Sequence, residues 1–373
     1  MFDLVRQEEG KKKRQEEELK RQEEEAAKEA EAALSDFDKA RILQQAIIDS
    51  RTDFYIPDET AMKALDDFLA HPESTAIIVT GQSGCGKSAL LANWYKQHQN
   101  DDEHNIICHF IGNGCLLADY QDVAQQLSQE IEYHESIQPS DSERPLVVLL
   151  DGIDPVIGTE AQDPLEWLPA NNGHIRYVFS TNQDQDILGI LKGKGYPSIE
   201  VAPLNNPART QMVEQFIHNG LQLTDEQVVR IVNDPESANP MVLKTLLQEL
   251  SSSKPEELDK DIDYYLEPCS ISDYFQRILE RREAHMGEFF AQHVLSILAA
   301  GASEGLTKEE IRKVCRMTNP TQWDGLITNF GSYLIKHKER YTLAHQLILE
   351  AISSRYSKFL PSANNRLKRV LTD

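Results

Sequence analysis

The stretch Ile77-Ile78-Val79-Thr80-Gly81-Gln82-Ser83-Gly84-Cys85-Gly86-Lys87-Ser88 decides the fold. An apolar run enters a glycine-rich turn that ends in Lys-Ser, and Ala89 to Trp94 then reads as an amphipathic helix. Gly81 to Ser88 matches the phosphate-loop pattern G-x-x-x-x-G-K-S at every fixed position. Each residue type suits that chemistry. Glycines let backbone N–H groups converge on phosphate oxygens, and the helix start adds a positive dipole. Lys87 reaches the terminal phosphates, and the Ser88 hydroxyl ligates magnesium. The nucleotide-binding candidates are therefore Gly81, Gln82, Ser83, Gly84, Cys85, Gly86, Lys87 and Ser88, continued by Ala89.

Outward from the loop, short apolar runs alternate with amphipathic helices. Ala76 to Thr80 is followed by a helix from Lys87, then Ile106 to Ile111, a helix from about Leu116 to Tyr133, Leu146 to Leu150, and Ile175 to Ser180. That alternation predicts an α/β fold, a parallel sheet with helices on both faces. The run Leu146 to Leu150 ends in Asp151-Gly152-Ile153-Asp154. A carboxylate at the carboxyl end of a buried strand is what a phosphate loop needs to orient Mg, which makes Asp151 and Ser88 the metal candidates. Asp154, slightly further on, is placed to polarise an attacking water, so Asp151 and Asp154 are the catalytic candidates. No N-K-x-D segment of the kind that reads guanine occurs, so the expected cofactor is ATP or ADP with Mg.

Past Asn205 the strands stop, and 207–220, 225–233 and 239–250 read as helices that end at Ser251-Ser252-Ser253-Lys254-Pro255, a hinge or linker. After residue 270 the chain is mostly helical, with a capping box at Thr307-Lys308-Glu309-Glu310 and a small hairpin around the polar turn His337 to Arg340. Helices followed by a two-stranded wing predict a winged-helix domain. The expected organisation is a charged segment, helical or disordered, over 1–35, a P-loop nucleotide-binding domain over 36–204, a helical domain and linker over 205–270, a winged helix over 271–358, and a basic tail over 359–373.

Composition excludes several classes. The net charge of −23 opposes broad binding to nucleic acid or anionic lipid, which rewards a surplus of Lys and Arg. The five cysteines are scattered without a C-x-x-C pair, so neither a disulfide framework nor a zinc site is expected. The first residues turn charged where a signal peptide is apolar, and no run approaches the roughly 20 apolar residues of a membrane span. A cytoplasmic protein is the expectation.

From about Phe54 to Tyr356 the sequence resembles the STAND NTPases with a NACHT-like domain, in particular the nephrocystin-like members. The resemblance rests on Ser88-Ala89-Leu90-Leu91-Ala92-Asn93-Trp94, His109-Phe110-Ile111-Gly112, Asp151-Gly152-Ile153-Asp154, and Ala238-Asn239-Pro240 with Leu243 to Leu250. It implies that Pro240 contacts adenine, that Ser180 and Thr181 sit on the sensor strand, and that His345 approaches the diphosphate from the winged helix. On the residues alone, Pro240 is a favourable helix start and His345 a packing residue. Ala238 replaces the family's Gly, Pro57-Asp58-Glu59 stands for Gly-Arg-Glu, and Asn182 stands for a sensor Arg, departures that point to slow hydrolysis. No arginine finger is evident; Arg176 and Arg209 are candidates by location only. The resemblance implies a nucleotide-controlled conformational switch with protein partners and a nucleotide-dependent oligomer. Two alternatives stay open: a scaffold stabilised by nucleotide without turnover, and an origin-recognition-like AAA+ ATPase.

Overall fold

In a computed structural model the described residues are 35–52, 54–100, 104–111, 120–137, 145–154, 165–169, 175–183, 185–267, 269–302, 305–337 and 339–372. The charged segment 1–34, Gly112, Cys115 and the start of the helix expected from Leu116 lie outside them. The chain divides into two compact units, Met1–Leu43 and Gln44–Asp373, and both sheets and every candidate site residue belong to the second.

The core of the first half is a five-stranded parallel sheet built from β1 (Ala76–Gly81), β2 (Asn105–Phe110), β3 (Leu146–Asp151), β4 (Ile175–Asn182) and β5 (Ser198–Glu200). Its order is β2-β3-β4-β1-β5. Every residue of β1 is buried, as a strand covered on both faces requires. On one face Ile78, Val148 and Phe179 pack with Val123 and Leu127 of α4 (Tyr120–Ile137) and Leu188 and Leu191 of α5 (Asp186–Gly193). The loop helix α3 (Lys87–His98) lies against β1, β2 and β3, with Leu90, Leu91 and Trp94 buried. Before the sheet come α1 (Asp36–Thr52) and α2 (Glu59–Ala70), the latter capped by Asp58, which accepts from the Ala61 N–H at 3.0 Å.

The order explains the site. β4 lies between the phosphate-loop strand β1 and the acid-bearing strand β3, in register Val79 to Ser180 and Leu149 to Val178. The carboxyl end of β4 is thus wedged between Lys87 and the two aspartates. The periodicity stops β4 at Ser180, but the strand runs on to Asn182, because Thr181 and Asn182 pair with Thr80 and Gly81. β5 has no apolar run to read: its three residues are Ser, Ile and Glu on an edge.

A second core runs from Met212 to Ala363 and joins α6 (Asn206–His218), α7 (Asp225–Asn233), α8 (Pro240–Leu250), α9 (Leu258–Leu266), α10 (Ile271–Met286) and α11 (Glu288–Ala300) to the segments beyond. A short sheet of order β6-β8-β7 follows, from β6 (Leu306–Thr307), β7 (Leu334–His337) and β8 (Arg340–Leu343), with α12 (Lys308–Cys315) and α13 (Pro320–Phe330) between β6 and β7. Thr307 and Glu310 form the expected capping box. The chain closes with α14 (Gln346–Arg355) and α15 (Leu360–Thr372). The stretch 251–255 is a turn that enters a 3-10 helix, Pro255–Glu257, and then α9.

Candidate nucleotide-binding site

The phosphate loop closes as its glycines allow. Gly84 and Gly86 have φ of +78° and +103°, a left-handed conformation that L side chains adopt only with strain. A Cβ on Gly84 would also lie 2.8 Å from Asn239 Oδ1 and 2.9 Å from Met241 Cβ. Lys87 Nζ donates to the carbonyls of Gly81 and Gln82, both at 3.0 Å, and to Asn182 Oδ1 at 2.8 Å. Ser88 and Ala89 lie in the first turn of α3. The Cys85 thiol is buried, and burial pushes its pKa up, so it stays a thiol.

The two acids are held by hydroxyls. Asp151, buried at the end of β3, accepts from Ser88 Oγ at 2.6 Å and from Ser180 Oγ at 2.5 Å. Ser180 Oγ in turn accepts from the Gly152 N–H at 2.8 Å. Asp154 accepts from the Thr181 hydroxyl and, at 3.2 Å, from Asn182 Nδ2. Burial raises the Asp154 pKa, although the Thr181 and Asn182 hydrogen bonds pull it back. A raised carboxylate is the better proton acceptor. Asn182 therefore bridges Lys87 to Asp154, a role the sequence reading noted only as a missing Arg.

Residues far along the chain complete the site. Asn239 caps α8 by accepting from the Met241 N–H at 3.0 Å, while its Nδ2 donates to the Ser83 carbonyl at 2.9 Å. The Met241 N–H also donates to the Gly84 carbonyl at 3.2 Å. The start of α8 thus sits on the phosphate loop, and Pro240 Cγ lies 3.9 Å from where a Gly86 Cβ would be. His345 precedes α14, where Arg51 Nη1 approaches its Nδ1 at 2.6 Å and Arg51 Nη2 donates to the Ala344 carbonyl at 2.8 Å. Burial and the neighbouring cations Arg51 and Lys244 push the His345 pKa well down, so the ring is neutral.

One cavity of 710 Å³ gathers these groups. Ser83 to Ala89, Asp151, Asp154, Asn182, Pro240 and His345 line it together with Arg51, and Phe54, Ile56, Val201, Leu204 and Met212 give it an apolar side. The volume is in the range of small-molecule and cofactor sites. Arg176 and Arg209 do not line it. Arg176 is buried and donates to the carbonyls of Phe68, Leu69, His71 and Ser74, while Arg209 donates to those of Leu204, Val232 and Asp234. Both are spent on backbone, which removes them as finger candidates. Arg51, missed by the sequence reading, is the arginine that lines the cavity beside the loop; a lone Arg at the end of a helix that buries Ala46, Ile47 and Ile48 carries no sequence signal.

The donor set suits a hard cation. Ser88 Oγ and the Asp151 carboxylate are oxygen ligands of the kind Mg takes alongside phosphate oxygens and water. Among the described residues no three His, Cys, Asp or Glu side chains gather into a metal cluster.

Sheet order, loop geometry and the facing aspartate define the chain as a P-loop NTPase fold. No family model matches the sequence. It is 21% identical to a TPR repeat-containing protein of Dictyostelium discoideum, over 87% of this chain and 25% of that protein. Tetratricopeptide repeat protein 41 of Mus musculus is 22% identical, over 55% of this chain and 18% of that protein. The chain thus spans about a quarter or less of the length of these curated relatives. Among solved structures it resembles a Walker-type ATPase of Pyrococcus abyssi, with a TM-score of 0.40 and 11% identity over 80% of this chain and 96% of that one. Cdc6p from Pyrobaculum aerophilum gives a TM-score of 0.41 and 12% identity over 84% and 98%. Among the described residues no helix is long and apolar enough to cross a membrane.

Proposed function

We propose that the chain binds ATP and ADP with Mg and acts as a nucleotide-controlled switch of the STAND type, with a NACHT-like core, a helical domain and a winged helix. The observation that carries the reading is the shared cavity: phosphate loop, α8 start and His345 come from three separate stretches yet line one space. A ligand there touches all three at once, so its terminal groups bias how they sit together. Lys87 and the loop N–H groups would hold the phosphates, Ser88 and Asp151 the metal, and Asp154 an attacking water. Pro240 would lie against the base. His345 would donate to the diphosphate. Magnesium, when bound, neutralises phosphate charge during transfer.

The resemblance to STAND proteins and the TPR relatives support protein partners and assembly; the net charge of −23 weighs against nucleic acid. The test is side-by-side titration of ADP and ATP on the parent and on His345→Ala. A hydrogen bond to a charged group is worth about 1.5 to 3 kcal/mol, so ADP affinity is expected to fall about tenfold to a hundredfold and ATP affinity less. Equal losses for the two nucleotides would remove His345 from the switch.

A further inference from the structure

Arg51 joins two stretches that line the cavity from separate parts of the chain. On one side the last turn of α1 is clipped to the phosphate-loop helix. Asn93 Nδ2 donates to the Arg51 carbonyl at 3.4 Å, Lys96 Nζ donates to Thr52 Oγ1 at 2.7 Å, and Lys96 pairs with Asp49 at 3.0 Å. The backbone of Arg51 is therefore fixed relative to α3. On the other side its guanidinium reaches 294 residues ahead, to His345 and the Ala344 carbonyl.

The chemistry of that contact is specific. A guanidinium only donates, so a ring nitrogen of His345 must accept: Nη1 lies 2.6 Å from Nδ1 and 3.4 Å from Nε2, and the shorter approach makes Nδ1 the acceptor and Nε2 the protonated nitrogen. The ring is held neutral, in one tautomer, with its remaining nitrogen a donor. Arg51 keeps its charge: burial lowers its pKa to about 10, and the nearby charge of Asp151 opposes the fall. It shares the cavity wall with Lys87, Ser88 and Asp151. A neutral ring and a backbone carbonyl are weaker partners for a guanidinium than a phosphate, whose oxygens match its planar fork.

We propose that Arg51 is the phosphate-reading residue of this cavity: its guanidinium takes the terminal phosphate of a bound triphosphate, gives up His345 and Ala344, and so unlatches the segment before α14. A diphosphate lacks that phosphate and leaves the latch closed. The inference rests on the nucleotide reading above and deepens it, since it places the discriminating cation on α1 of the same chain.

The experiment uses the full chain with Mg, ADP, and a non-hydrolysable imido analogue of ATP. Arg51→Gln keeps a hydrogen-bonding head and loses the charge; Arg51→Lys keeps the charge and loses the fork. The expected result is that Arg51→Gln weakens the triphosphate analogue about tenfold or more and ADP less than about threefold, while Arg51→Lys falls between. In the parent, the ¹⁵N resonance of His345 Nδ1 shows an accepted hydrogen bond with ADP and loses it with the analogue. A folded Arg51→Gln that loses both nucleotides equally, or neither, overturns the proposal. If that variant fails to fold, the His345 resonance decides, and an unchanged shift between the two nucleotides overturns it. A parent that binds neither nucleotide, or Lys87→Ala that binds as the parent does, defeats the site reading itself, and the role of Arg51 falls with it.

Discussion

Asp151 and Asp154 stand only three positions apart, yet the structure gives them different company. Asp151 is buried and accepts from the hydroxyls of Ser88 and Ser180, one on each oxygen, which hold its carboxylate against the metal candidate Ser88. Asp154 is held by Thr181 and Asn182 with its pKa raised by burial. Under the proposed function, Asp151→Asn keeps the shape and removes the charge that a cation needs. Magnesium-dependent ATP turnover is therefore expected to fall by about a hundredfold, while ATP affinity changes less than about tenfold, because the loop N–H groups and Lys87 remain. Single-turnover hydrolysis and an equilibrium titration on the same preparation check this. Turnover at the parent rate would move the metal role to another residue.

At the scale of elements, α8 is the piece that connects the two cores. Its first residues hold the phosphate loop through Asn239 and Met241. Near its other end Glu249, buried, accepts from Tyr265 at 2.8 Å, from Tyr333 at 2.6 Å and from the Arg282 guanidinium. Tyr333 immediately precedes β7, so one helix ties the loop to the segment that leads into the small sheet. A buried carboxylate is tolerable because three donors satisfy it. Asn239→Ala removes both the cap and the Ser83 contact. It is expected to lower stability by about 1 to 2 kcal/mol and to weaken nucleotide binding, since the loop loses a brace. Thermal unfolding with and without ATP measures the two effects; a variant destabilised but binding ATP normally would confine Asn239 to capping.

Across the whole molecule, stability is expected to fall in mild acid, and histidines kept neutral by burial or by neighbouring cations are the reason. His109 at the end of β2 has its pKa lowered by burial from 6.5 to about 4, despite the opposing charge of Glu130. Its Nε2 has no partner among the described residues. His345 and His293 are lowered too, His345 by burial and then Arg51, His293 by burial and then Arg366. The unfolded chain then binds more protons than the folded one, so stability is full above about 6.5 and is lost as the pH falls toward 4. His109 alone accounts for up to about 3 kcal/mol of that loss. Asp154, raised by burial, acts in the opposite sense and offsets part of it. Denaturant unfolding from pH 7.5 to about 4.5 tests the slope, and His109→Gln is expected to flatten it. A parent curve without slope in this window would mean that His109 takes up its proton in the folded state.

What the sequence determined by itself is the part whose chemistry is contiguous. The phosphate loop from Gly81 to Ser88, its strand and its helix are legible because binding phosphate takes successive N–H groups, so spacing and function are written in the same residues. Asp151 is nearly as legible, because a buried strand ending in a carboxylate is a local pattern. The tertiary structure decided the rest. Asn182 reaches Lys87 only because β4 is inserted between β1 and β3, an order that no local periodicity encodes. Asn239 reaches Ser83 across 156 positions and Arg51 reaches His345 across 294. Hydrogen bonds act over about 3 Å, and whether two distant side chains come that close depends on how the cores pack, which is a property of the whole chain.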